Sequence, residues 1–273
     1  MPIYMPGKVV LKKDGVTTGL LDAYGGAAAA YSLRQLSANY GGAVVRVRRS
    51  SDNTEQDFTT TQVTDGTLTT FCGAGDGFVR TLYDQSGNAN NAGQATSASQ
   101  PQIVSAGSLI LEASKPVMRF DGSDDFLLQV NNTTINQPFT TVIATKRNSG
   151  SSTDQNIFRS PSAGAVLYWI GNSGNLAAFA GSVYDSSSSS TNNILSFLTW
   201  SGSSSTFGLN SSTSTVNVGG SYLVSNEPLR IGRGVGATDY SSMSLREFII
   251  YPSSQAANRA GINSNINAHY AIY

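Results

Sequence analysis

From Phe139 onward the chain is a succession of short apolar runs: TTVIATK, QNIFR, AVLYWIG, NLAAFAG, NILSFLTW, STFGLN, TSTVNVG, PLRIGR and SLREFIIY. Gly, Ser and Asn separate them at intervals of roughly 8 to 15 residues, which is the spacing of strands that cross a sheet and turn back. Runs this short bury themselves by pairing edge to edge, so the pattern predicts an all-β sandwich. The rest of the composition agrees, because Ser, Thr, Asn and Gly are abundant while helix-favouring Glu and Lys are scarce. Residues 182–226 carry one charge, Asp185, among many Ser and Thr. They still read as folded strands, because Ile194, Leu195, Phe197, Leu198 and Trp200 need burial.

At 273 residues and 39% apolar content, the chain is long enough for one large β domain or two ordinary ones. Charged residues make up 12%, and seventeen basic side chains balance seventeen acidic ones. No net field gathers a polyanion, so nucleic acid is not an expected partner. No run approaches the ~20 apolar residues of a membrane span, so membrane insertion is not expected. The first residues, MPIYMPGKVVLKKDG, hold no apolar run of signal-peptide length, and the expectation is a product made in the cytoplasm without a secretory address. Cys72 and His269 are single residues of their kinds; they build neither a disulfide framework nor an ordinary zinc site. Cys72 reads as a buried thiol and His269 as a satisfied surface or packing residue. No cofactor is expected.

Residues 1–19 read as a short basic arm with Lys8, Lys12 and Lys13, and residues 20–273 as the β domain. Leu20, Tyr24, Ala27 and Tyr31 recur at helical spacing, which predicts a helix near residues 27–36. AVVRVRR at 43–49 and the segment ending at Phe58 predict a hairpin, with Arg46 and Arg48 on one face opposite Glu55 or Asp57. LTTFCGAGDGF reads as a short helix or turn, residues 93–116 as a surface wrap, and KPVMRFDGSDDFLLQV as a second hairpin. Ile262, Ile266 and Tyr270 fall at intervals of four behind Ser cap candidates, which predicts a closing helix near 254–268.

Chemistry-bearing motifs are few. GAGDGF at 73–78 lacks the lysine of a phosphate loop, and a lone His269 disfavours a Ser-His-Asp triad. Asp121, Asp124 and Asp125 in FDGSDDF have the oxygen chemistry of a calcium site, but lack a calcium loop's spacing and read as a turn; no metal is expected. YDQSGNANN, residues 83–91, crowds an acid, amides and a hydroxyl after a strand, and reads as a hydrogen-bonded turn. For sugar contact, Tyr168, Trp169 and Tyr184 are aromatic candidates, with Trp169 expected in the core; the carbohydrate-binding residues remain unknown at this stage.

The segments SLRQL, RVRRSSDN, LTTFCGAGDGFVRTLYDQSGNANNAGQA, MRFDGSDDFL, LRIGR and REFIIYPSSQAANRAGINSNINAHY together resemble laminin-G and concanavalin-like jelly rolls. More narrowly, they are similar to the catalytic domain of α-L-arabinofuranosidase B and to a variant of it in phage virion proteins. The resemblance implies a jelly-roll sandwich over residues 20–273. In the hydrolases it implies a glutamate nucleophile, an aspartate acid and a disulfide between adjacent cysteines. The nucleophile's position falls near Ser173 and the acid's in IGRGVGATDYSS, where Asp239 is the nearby carboxylate; the cysteine pair has no counterpart. The expectation is therefore a non-enzymatic virion structural protein with no catalytic residues. It would decorate a capsid or serve as a head-fibre or tail-associated adhesin, contacting other virion proteins and host-surface glycans. A homotrimer is expected by resemblance only. The alternatives are a glycoside hydrolase of the arabinofuranosidase type using Asp239 with Glu227 or Asp185, and a soluble lectin.

Overall fold

In a computed structural model the protein is described for residues 19–129, 134–151, 153–160, 164–189, 191–221, 228–236 and 238–273. Eighteen of the nineteen residues of the expected N-terminal arm, together with Glu227, lie outside the described residues.

The long strand Ser242–Tyr251 organises one layer. It pairs antiparallel with Phe139–Arg147 on one side. On the other it pairs with Ala29–Ser32 near its end and Met118–Asp121 near its start. Beyond Phe139–Arg147 the layer continues through Asn193–Trp200, Ser205–Leu209 and Ser212–Val216. The facing layer runs Val183–Ser189, Asn175–Phe179, Val166–Trp169, Gln155–Arg159, Leu229–Ile231 and Leu127–Gln129. It then passes through Ala92–Gly93 to Gly77–Leu82, Val45–Arg49 and Glu55–Phe58. Gln102–Ser105 pairs with strands of both layers, Gly77–Leu82 and Met118–Asp121, and joins the sandwich along one side into a nearly closed sheet.

Period-2 alternation fills the space between the layers. Phe158 stacks on Phe248 with ring centroids 5.2 Å apart and meets Trp200 edge-on, so one side chain from the second layer seats on two strands of the first. Trp169 is buried there, as expected. A second cluster covers the back of the first layer, where Ile262, Ile266 and Tyr270 of the helix Arg259–Tyr270 pack on Val142, Leu195, Phe197, Ile249 and Tyr251. The four-residue apolar spacing of the closing helix was a true helical signal.

Three expectations about elements are corrected. Residues 27–36 form no helix: Ala29–Ser32 is a strand on the edge of Ser242–Tyr251, and the helix in this region is the single turn Leu20–Ala23. The spacing misled because both faces of the strand are covered, Tyr31 facing the interlayer core and Ala30 the helix side. Gly26, at φ +82°, also interrupts any continuous helix. The second hairpin is likewise absent. Met118–Asp121 pairs in the first layer and Leu127–Gln129 in the second, so the Asp121–Asp125 turn carries the chain between layers. Residues 93–116 contribute more than a wrap, because Ile103 and Val104 are buried on a strand that bridges the layers. The first hairpin formed as expected, with Arg46 paired to Asp57 at 2.7 Å; Arg48 instead donates to Gln100, Asn53 and the Ser97 carbonyl.

Candidate active site

On the solvent face of the second layer, register builds a floor of side chains. Leu167 and Trp169 point into the core, so the alternate residues Val166 and Tyr168 point outward. Two cross-strand rows result: Asn156, Tyr168, Ala177 and Asp185 in one, Arg159, Val166, Phe179 and Val183 in the other. A cavity of about 470 Å³ sits over this floor, lined by Tyr168, Phe179, Val166, Asn156 and Arg159, with Thr153, Asp154 and Asp239.

Two carboxylates reach the cavity from separate loops. Asp154 precedes the strand Gln155–Arg159, and its Oδ1 accepts the Gly171 N–H at 2.9 Å. Asp239 belongs to the loop before Ser242–Tyr251, where its Oδ2 accepts the Gly236 N–H at 2.9 Å and its carbonyl accepts the Gly234 N–H. That loop reads GVG because an added Cβ at Gly234 or Gly236 falls 2.6 Å from Asp239 atoms, a distance no side chain tolerates. The Thr153 hydroxyl donates to the Thr238 carbonyl at 3.4 Å, bringing the two loops together. Burial, then the charges of Asp154 and Asp185, push the Tyr168 phenol up, while Arg159 opposes them.

The turn at residues 171–174 adjoins this site. Ser173 donates its N–H to the Gly171 carbonyl, and its hydroxyl accepts from Asn175. The neighbouring Gly171 is held by Asp154, so a carboxylate stands at this turn although none occurs within it. Beneath it Arg147 is buried, donates to Gln155, and approaches Gly174 so closely that a Cβ there has no room. Its Nη2 has no partner among the described residues, and burial lowers its pKa.

The other sequence candidates disperse. Asp185 lies two strands from Tyr168, roughly 10 Å along the row at ~4.8 Å per strand, where it accepts from Asn175. Tyr184 packs on Phe207 outside this cavity. Asp121, Asp124 and Asp125 each bring one carboxylate oxygen within 4.8 Å of the others, and the Asp121 and Asp125 carboxylates accept backbone N–H groups of the same turn. Burial, with Asp121 and Asp124 beside it, pushes the Asp125 carboxyl up to about 7. Cys72 is free and buried, its thiol pushed up to about 11 mainly by burial. His269 is pushed down to about 4 by burial and by Arg34 and Lys115. Asp154 was missed by sequence reasoning, since a lone acid in TDQN carries no periodic signal and gains meaning only from the register that faces it to Tyr168.

Residues 22–152, just under half the chain, match the family model described as alpha-L-arabinofuranosidase B, catalytic. Among solved structures, an arabinofuranosidase complexed with arabinofuranosyl-alpha-1,2-xylobiose superimposes with a TM-score of 0.66 at 15% identity, over 90% of this chain and 63% of that one. This chain shares the fold of that catalytic domain. A GH54 a-l-arabinofuranosidase soaked with a cyclic sulfate inhibitor gives 0.65 at 15% identity, again over 90% and 63%. The binding domain of Paraclostridial Mosquitocidal Protein 1 gives 0.51 at 13%, over 84% and 52%. The chain thus spans 63% of the length of the arabinofuranosidases it matches. No curated protein matches by sequence.

These matches correct the expectation of a non-enzymatic virion component. The matching family model and the superimposed structures are those of arabinofuranosidases, not of capsid-decoration, head-fibre or tail-fibre proteins. The matched segment ends at residue 152, ahead of Asp154 and Asp239, so the assignment of those two carboxylates rests on the geometry of the cavity.

Proposed function

We propose that this chain is the catalytic part of a glycoside hydrolase of the arabinofuranosidase type, built on a concanavalin-like jelly roll, with Asp154 and Asp239 as its working carboxylates. The observation that carries the reading is their convergence, from two loops, on a sugar-sized cavity floored by Tyr168 and Phe179. Hydrolysis of a glycosidic bond needs one carboxyl to protonate the leaving oxygen and a carboxylate to meet the positive charge that develops at the anomeric carbon. Asp239 lies in the loop where the family resemblance puts the acid, and it donates that proton as the C–O bond breaks. Asp154, at the Ser173 turn, supplies the carboxylate for the oxocarbenium-like centre, as nucleophile or as base for water. Asn156 and Arg159 bind sugar hydroxyls from the side, and the aromatic floor supports the ring's apolar face.

The test is release of arabinose or another sugar from a panel of arabinofuranosides and polysaccharides. Asp239→Asn and Asp154→Asn are each expected to lower kcat by roughly 10²–10⁴-fold, with melting temperatures unchanged within about 2 °C. Turnover that survives both substitutions, or a wild-type protein inert across the panel, overturns the proposal.

A further inference from the structure

A larger cavity, of about 760 Å³, lies elsewhere. It opens where Ser242–Tyr251 ends, beside Ile250 and Pro252, whereas the carboxylate cavity adjoins the start of that strand through Asp239. Ten residues at ~3.3 Å each put the two roughly 30 Å apart. Its volume is within the range of small-molecule sites, roughly 300–1,000 Å³. None of its described lining residues is ionisable.

What it presents instead is amide oxygen. Asn88 donates its Nδ2 to the Ala27 and Ala28 carbonyls at 2.9 and 3.2 Å, and Asn90 donates to the Ala28 carbonyl at 2.7 Å. With the amino groups committed, the two Oδ1 atoms remain as acceptors whose orientation is fixed before any ligand arrives. Gln129, also in the lining, is only 5% exposed, and its Oε1 has no hydrogen-bond partner among the described residues. A buried carbonyl oxygen left without a donor is unfavourable, so the site gains by receiving a hydroxyl. Ile135, Ile250 and Pro252 supply apolar wall beside these acceptors.

We propose that this cavity is a second saccharide site, binding a neutral hydroxyl-rich sugar segment through carbonyl acceptors at Asn88, Asn90 and Gln129. Sugar hydroxyls are the donors these oxygens lack, and C–H faces fit the apolar wall. No cation stands among the described lining residues to hold an anionic sugar. The inference concerns binding alone and stands independently of hydrolysis at Asp154 and Asp239.

The test is isothermal titration of the full chain with L-arabinose, an arabinan oligosaccharide, xylotetraose and cellotetraose, using tetragalacturonate as the anionic control. At least one neutral probe is expected to bind wild-type protein and Asp239→Asn with the same Kd. Gln129→Leu is expected to weaken it about tenfold, the loss of one good hydrogen bond. Asn136→Trp, at the exposed rim, fills the opening without touching the core and is expected to remove one site from the fitted binding stoichiometry even where Gln129→Leu fails to fold. The proposal is overturned if no neutral probe binds at millimolar concentration, or if tetragalacturonate alone binds. It is equally overturned if Asn136→Trp retains the wild-type stoichiometry, or if Asp239→Asn removes binding.

Discussion

Asp84 shows how one side chain decides the conformation of a segment fifty residues away. Its Oδ1 accepts the N–H groups of Ala30 and Ser86, each at 2.8 Å, and its Oδ2 accepts from the Ser86 hydroxyl and the Asn90 N–H. Gln85 beside it accepts from the Leu36 N–H and donates to the Ser32 and Arg34 carbonyls. These bonds hold Ala30 through Leu36 in an extended path, using the backbone groups that a helix there would need for itself. Asp84→Asn keeps the shape but turns part of the acceptor into a donor, facing buried N–H groups. We expect a loss of about 2–4 kcal/mol in urea unfolding, together with faster hydrogen exchange at Ala30. A loss below about 0.5 kcal/mol would contradict this account of the turn.

At the scale of elements, what was legible in the sequence was whatever depends on a local period. The runs from Phe139 onward became strands, and Ile262, Ile266 and Tyr270 became the inner face of the closing helix. What was illegible depends on partners. Ala29–Ser32 is short, apolar on both faces and Ala-rich; its strand state comes from Ile250 on one side and Asp84 on the other. The candidate site follows the same rule, since Asp239 stood in a recognisable loop while Asp154 acquired its place through pairing of Asn156 with Tyr168. The closing helix offers a direct check, because its weight in stability comes from burial rather than from the propensity of RAGINSNINAHY. Ile266→Ala, fully buried under the first layer, is expected to cost about 2–4 kcal/mol in denaturant unfolding, whereas the exposed Ser264→Ala changes stability by less than about 0.5 kcal/mol.

Across the whole molecule, two titrating groups, the buried Asp125 and the half-buried His269, oppose each other in how stability varies with pH. Asp125 has a folded pKa of about 7, above its unfolded value, because burial and neighbouring acids disfavour the charged form. It stabilises the fold while protonated, and that contribution is lost as pH rises from roughly 4 to 7. His269 has a folded pKa of about 4, below its unfolded value. Its contribution is complete above pH ~6.5 and is lost as pH falls toward 4. Between roughly pH 4 and 6.5 the two slopes have opposite signs, so the wild-type protein is expected to show a nearly flat stability curve there from these groups. The single variants separate them. Asp125→Asn retains an acceptor for the Asp121 N–H and removes the acid, so stability should rise with pH across the window. His269→Gln leaves Asp125 unopposed, so stability should fall with pH across the same window. Thermal unfolding of the wild type and both variants at pH 4.5, 5.5 and 6.5 reads the two slopes directly. Slopes of equal sign in the two variants would show that Asp125 and His269 do not carry the protons taken up or released on unfolding.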